Sequence, residues 1–139
     1  MFKDNITICE QGALRGRAED GITAFLGVPF AQPPVGKLRW REPQPPAKWR
    51  GIYNAEFFRA APIQMGYPNA DEQEQEWMSE DCLYLNIWTP ASAAGEKLPV
   101  YVWFYGGAYQ AGRGDDPQWN GRELAKRGIV TVTVNRVKN

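Results

Sequence analysis

Residues 98–107 read Leu98-Pro99-Val100-Tyr101-Val102-Trp103-Phe104-Tyr105-Gly106-Gly107. Such a run, dense in β-branched and aromatic residues and stopped by paired glycines, predicts a strand followed by a tight loop. It is apolar at nearly every position rather than at alternate ones, so burial on both faces is expected, as in the centre of an α/β sheet. Working outward, residues 82–88 (Cys82-Leu83-Tyr84-Leu85-Asn86-Ile87-Trp88), ended by Thr89-Pro90, read as a second strand, and residues 129–134 as a third. A helix is expected between the strands at 98–105 and 129–134. Asn120 is placed to be its N-cap, Glu123 follows three residues later, Lys126 and Arg127 fall in the last turn, and Gly128 stops it. Strand, helix, strand makes a βαβ unit, and the fold class is α/β.

The N-terminal part has a different texture. Residues 12–16 and 22–27 are predicted to pair across Glu19-Asp20-Gly21, because Asp-Gly supplies the positive φ that a tight hairpin needs. Pro29, Pro33, Pro34, Pro43, Pro45 and Pro46 then keep the chain out of helix or central strand, so residues 28–75 are expected to be mostly ordered loop. The whole of 1–139 reads as one partial domain. A strand apolar on both faces needs a covering layer on each side, and one short helix does not supply two. Either the loops cover the second face or an apolar strand edge stays open, and an open edge tends to pair with another chain.

Composition removes several classes of function. Lys plus Arg equals Asp plus Glu, 16 of each, with no basic stripe, so neither nucleic acid nor a membrane surface is an expected partner. The acidic cluster at Asp71, Glu72, Glu74 and Glu76 reads as a solvated loop. No segment has the length and hydropathy of a signal peptide or a bilayer span, and a cytoplasmic location is expected. Cys9 and Cys82 stand in unrelated settings and are expected to be reduced. The chain has no histidine, which removes the usual general base at neutral pH and the commonest metal ligand. No metal site and no cofactor is expected.

Four segments together resemble the type-B carboxylesterase and cholinesterase family of α/β-hydrolases, with the bacterial para-nitrobenzyl type as the nearer relatives. They are residues 25–36 (Phe25-Leu26-Gly27-Val28-Pro29-Phe30 onward) with Leu38-Arg39-Trp40, residues 79–86 (Ser79-Glu80-Asp81-Cys82 onward), residues 102–109 with Gly112, and residues 130–135. The resemblance implies an incomplete α/β-hydrolase fold: N-terminal hairpin, long ordered loops, and part of the central sheet with one βαβ unit. It implies that Gly106, Gly107 and Ala108 form an oxyanion-hole loop whose main-chain N–H groups, those of Gly107 and Ala108, meet the charge of an acyl-transfer transition state. Alanine in place of a third glycine does not affect this, because the donor is the main chain. It also implies that Arg39 and Glu80 pair to pin a loop to the sheet, a structural role.

The departures matter as much. The family's nucleophile stands in a Gly-x-Ser-x-Gly elbow followed by an acid and a histidine. Here the only serines are Ser79 and Ser92, neither in such an elbow. Cys82 has no cysteine partner near residues 60–64, and the spacing of Trp77 does not match a choline site. After Asn135 the family continues Asn-Tyr-Arg-Leu-Gly, where this chain has Asn135-Arg136-Val137-Lys138-Asn139. The expectation is an N-terminal carboxylesterase fragment, inactive alone, that self-associates as a dimer or higher oligomer through its sheet edge. A second reading is half of a split esterase completed by a C-terminal chain that carries the triad. A third is an aromatic-rich binding module for carbohydrate or peptide, against which stands the ordinary use of aromatics as core and loop anchors.

Overall fold

A computed structural model describes residues 2–64 and 77–137. The acidic cluster at 71–76 lies outside the described residues. Among the described residues ten strands occur: β1 (Ile6–Cys9), β2 (Gly12–Arg15), β3 (Arg17–Glu19), β4 (Ile22–Pro29), β5 (Ile52–Asn54), β6 (Ala61–Pro62), β7 (Met78–Ser79), β8 (Tyr84–Thr89), β9 (Val100–Phe104) and β10 (Val130–Val134). Among the described residues the α-helix is α1 (Arg122–Ala125), which connects the last two strands. The main sheet has the order β3-β4-β8-β10-β9, beside a three-stranded sheet β1-β2-β5 and a two-stranded β6-β7. Within the main sheet β8 is antiparallel to both β4 and β10, while β10 and β9 run parallel, as a βαβ connection requires.

The N-terminal hairpin differs from the expected one. β4 pairs across the turn with β3, and residues 12–15 pair instead with β1 and, on the other side, with β5. The turn itself forms where Asp-Gly predicts it, with Asp20 at φ 43° and Gly21 at φ 85°. What changes is the strand length. The chain turns at Gly16, whose Cβ position would lie 2.5 Å from the carbonyl oxygen of Ala24, so the segment before it leaves the main sheet. β5 and β6 interrupt what was expected to be loop, though most of 28–64 carries no strand.

β4 is buried along its first seven residues. A bulge between Phe25 and Val28 breaks its ladder with β8. The groups freed there find other partners: Leu26 N–H donates to Ala55 O (2.7 Å), Gly27 N–H to Asn86 Oδ1 (2.9 Å), and Tyr53 Oη–H to Gly27 O (2.9 Å). One core cluster joins Ile22, Ala24, Leu26 and Trp88 to Ala125 of α1, and a second joins Leu14, Phe25, Val28 and Ala55.

α1 is shorter than the sequence predicts. Gly121, not Asn120, occupies the N-cap, in helical conformation, at a position where a Cβ would collide with Trp88 and Thr131. Asn120 still accepts a bond from Arg122 N–H through Oδ1 (2.9 Å). The C-terminal end matches expectation: Ile129 N–H reaches Leu124 O and Gly128 N–H reaches Ala125 O, the Schellman pattern, with Gly128 at positive φ.

β9 is the largest correction. Its apolar run does not lie at the centre of the sheet; among the described residues it is an edge, and none of its five residues is buried. Val100, Val102 and Phe104 on one face and Tyr101 on the other are all exposed. Cys9 and Cys82 form no disulfide.

Candidate active-site loop

β9 delivers the chain to Tyr105, which is buried, and the backbone then enters an exposed loop. Gly107, Ala108 and Tyr109 adopt three successive positive φ values, 95°, 51° and 61°. Only glycine fits the first, since a Cβ there would run into the carbonyl oxygen of Ala111. Ala108 and Tyr109 hold a conformation that costs L residues roughly 1–3 kcal/mol each, and such strain persists only where the surroundings enforce it. The carbonyl of Gly107 is used internally, accepting from Gln110 N–H (2.8 Å) and Ala111 N–H (3.0 Å). The N–H groups of Gly107 and Ala108 donate to no group among the described residues, and both residues are exposed. Two adjacent main-chain donors are thus held at the surface with no internal acceptor.

The far end of the loop is tied down by the half-buried Gln64 and by buried side chains. Gln64 brackets Gly112, accepting from its N–H through Oε1 (2.7 Å) and donating to its carbonyl through Nε2 (3.1 Å). Gly114 N–H donates to Asn135 Oδ1 (2.7 Å), and its carbonyl accepts from Thr133 Oγ1 (2.6 Å) and Asn86 Nδ2 (3.4 Å). Asn86 also donates to Thr133 Oγ1 (3.1 Å), and Asn135 Nδ2 donates to Ala60 O (3.3 Å). This network joins β4, β8, β10 and the loop in one connected set, with Asn86, Thr133 and Asn135 all buried.

The near end rests on Tyr105 and Arg136. Arg136 Nη2 donates to Tyr105 O (2.9 Å) and Gly106 O (3.3 Å). Burial pushes the Tyr105 phenol above its ordinary pKa, against the lowering effect of Arg136.

Of the remaining residues singled out in the sequence, Arg39 Nη2 and Glu80 Oε1 lie 2.7 Å apart, with side chains 60% and 38% exposed. They border a cavity of about 750 Å³ that Cys82, Phe104, Asn135 and Arg136 also line. Gly106, Gly107 and Ala108 do not line it, but Arg136, which does, donates to the Gly106 carbonyl, and Asn135, which does, holds Gly114 at the far end of the loop. Neither serine belongs to a nucleophile arrangement. Ser79 Oγ accepts from Asp81 N–H (3.0 Å), and Ser92 Oγ donates to Glu96 (2.7 Å). Among the described residues no group of His, Cys, Asp and Glu could hold a metal ion, and no helix is long and apolar enough to cross a membrane.

The fold as a whole has counterparts among known proteins. Residues 3–136 match the Carboxylesterase family. The chain belongs to that family. It is 45% identical over 127 residues to the fumonisin B1 esterase of Sphingopyxis macrogoltabida, covering 91% of this chain and 23% of the relative. Against the para-nitrobenzyl esterase of Bacillus subtilis (strain 168) the identity is 35% over 132 residues, or 94% of this chain and 27% of that enzyme. The crystal structure of a Geobacillus stearothermophilus carboxylesterase at pH 6.8 superposes with a TM-score of 0.86 at 38% identity, over 97% of this chain and 27% of the other. The fold is therefore part of the α/β-hydrolase sheet, and the chain spans about a quarter of the length of these relatives.

Within this carboxylesterase segment, sequence reasoning missed the loop's supports: Gln64, Asn86, Thr133, Asn135 and Arg136. The available signal was a polar residue closing an apolar strand pattern, as Asn86 does between Leu85 and Ile87 and Asn135 does after Val134. A buried amide in such a place needs partners, and those partners define the loop's path.

Proposed function

We propose that this chain is the part of a carboxylesterase that presents the oxyanion hole, with Gly106, Gly107 and Ala108 as its loop, and that it turns over no ester alone. The observation carrying this reading is the pair of unpartnered, exposed N–H groups on Gly107 and Ala108 in a strained, heavily supported loop. Donors fixed in advance stabilise a developing oxyanion without reorganising at the moment of reaction. Turnover also needs a nucleophile and a base, and with no histidine and no serine elbow the chain supplies neither.

The site is completed, in this reading, by polypeptide equivalent to the remaining three quarters of the family's length. β9 favours this over pairing with a second copy. Its apolar side chains are exposed on both faces, so strand addition by a like chain would satisfy the edge and leave Val102 and Phe104 uncovered. Self-association through β9 remains the competing outcome. An aromatic platform for carbohydrate or peptide has less support: Tyr101 and Trp103 stack at 19°, but Trp119 tilts 39° away from Trp103 and breaks the plane.

The test mixes this chain with the separately expressed remainder of the Bacillus para-nitrobenzyl esterase and follows para-nitrophenyl acetate hydrolysis. Hydrolysis is expected only in the mixture, and Gly107→Pro, which removes one donor and breaks the positive-φ turn that aims its neighbour, is expected to abolish it. Turnover by the 139-residue chain alone, or activity in the mixture indifferent to Gly107→Pro, would overturn the reading. Light scattering at two concentrations separates a complementing monomer from a β9-paired dimer.

A further inference from the structure

We propose that Arg136 is a positioning residue that sets the direction of the Gly107 N–H donor, an assignment that rests on the oxyanion-hole reading of this loop. Asn135 N–H bonds to Tyr84 O at the end of β10, so the next residue leaves the sheet directly beside β9. Its backbone is held there by Tyr105: the phenol donates to Arg136 O and accepts from Arg136 N–H, each at 3.4 Å. Its guanidinium then packs over two rings, 5.0 Å from the centroid of Tyr105 and 4.9 Å from that of Tyr109. These rings bracket the Gly106–Ala108 stretch, so one planar cation touches both ends of the loop.

The hydrogen bonds give the stack a direction. Arg136 Nη2 reaches the carbonyls of Tyr105 and Gly106. The Gly106 carbonyl and the Gly107 N–H belong to one planar trans peptide, in which C=O and N–H point to opposite sides. Fixing the carbonyl toward Arg136 therefore turns the Gly107 N–H away from it, outward. A cationic donor on the carbonyl also polarises the same peptide and strengthens its N–H as a donor. Lysine would keep the charge but lose the flat face that stacks on both tyrosines.

The experiment uses the 139-residue chain and needs no ester turnover. Chymotrypsin cleavage is timed after Tyr109, with the exposed Phe57 as an internal reference site for changes not confined to this loop, and the Gly107 amide is followed by ¹H–¹⁵N correlation. Arg136→Ala is expected to speed cleavage at Tyr109 about tenfold with Phe57 unchanged, and to collapse the Gly107 resonance toward its random-coil position. Arg136→Lys is expected to restore part of the protection and none of the shift. Three results would overturn the proposal: no change in either readout, cleavage at Phe57 rising as much as at Tyr109, or full recovery by lysine. If R136A releases the loop while the complemented activity stays the same, the clamp stands and the oxyanion reading alone fails.

Discussion

β4 and β9 are both apolar strands of one sheet, and they meet opposite fates. β4 is buried along seven of its eight residues, between β3 and β8 and under α1. β9 is apolar at all five positions and buried at none. Nothing in the local sequence separates them; β9 is if anything the richer in large side chains. The difference lies in neighbours. β4 recruits α1 on one face and the β1-β2-β5 sheet with its loops on the other, whereas β9 has β10 on one side and no strand on the other among the described residues. Burial is a property of the assembly a strand joins, and a run of apolar residues states a demand for cover rather than the fact of it.

The sharpest way to break that comparison is a paired substitution. Leu26→Ala, at a fully buried β4 position, is expected to cost about 2–5 kcal/mol in urea denaturation. Val102→Thr, on exposed β9, is expected to change stability by less than about 0.5 kcal/mol in either direction. If V102T proves as costly as L26A, and the cost grows with protein concentration, β9 is covered in solution by a second copy.

The same contrast explains which parts of the molecule could be read in advance. The three sheet strands, the Asp20-Gly21 turn and the Gly128 stop rest on local chemistry, and each lies where its residues predict. The βαβ unit follows from them. What local chemistry does not contain is lateral order: whether β9 sits at the centre or the edge, and whether residues 12–15 join β4 or β1, depend on contacts between distant segments. The candidate loop divides likewise. Its glycines are visible because close backbone approach demands them, while Gln64, Asn86 and Arg136 support it from 48, 28 and 30 residues away, separations that no motif spacing encodes.

A second prediction moves inward to where strand and loop share a support. Asn86→Ala leaves the Gly27 N–H at the β4 bulge without its acceptor and removes one tie to Gly114. A buried donor stranded in this way costs about 1–3 kcal/mol. The loss is expected in two places at once, as faster amide exchange at both Gly27 and Gly114. Exchange that rises at Gly27 alone would show that the loop is held by Thr133 and Asn135 without Asn86, and would separate the covered strand from the exposed site.

The smallest expected effect concerns Arg39 and Glu80, and it turns on the same question of cover. With side chains 60% and 38% exposed, the pair lies largely in water, where an ion pair contributes about 0–1 kcal/mol. Arg39→Glu and Glu80→Arg alone are each expected to destabilise this chain slightly, and the double charge swap to recover most of that loss; equal damage in all three variants would count against the pair. The cavity it borders changes the expectation once a partner fills that space. A like-charge pair buried there would keep two uncompensated charges from water, a far larger cost than at the surface. Each single reversal is therefore expected to weaken complementation by the remainder of the Bacillus enzyme much more than it weakens the isolated chain, with the swap restoring it. Equal, small effects in both settings would mean that the partner leaves this wall of the cavity open, and that the cover β9 demands comes from another direction.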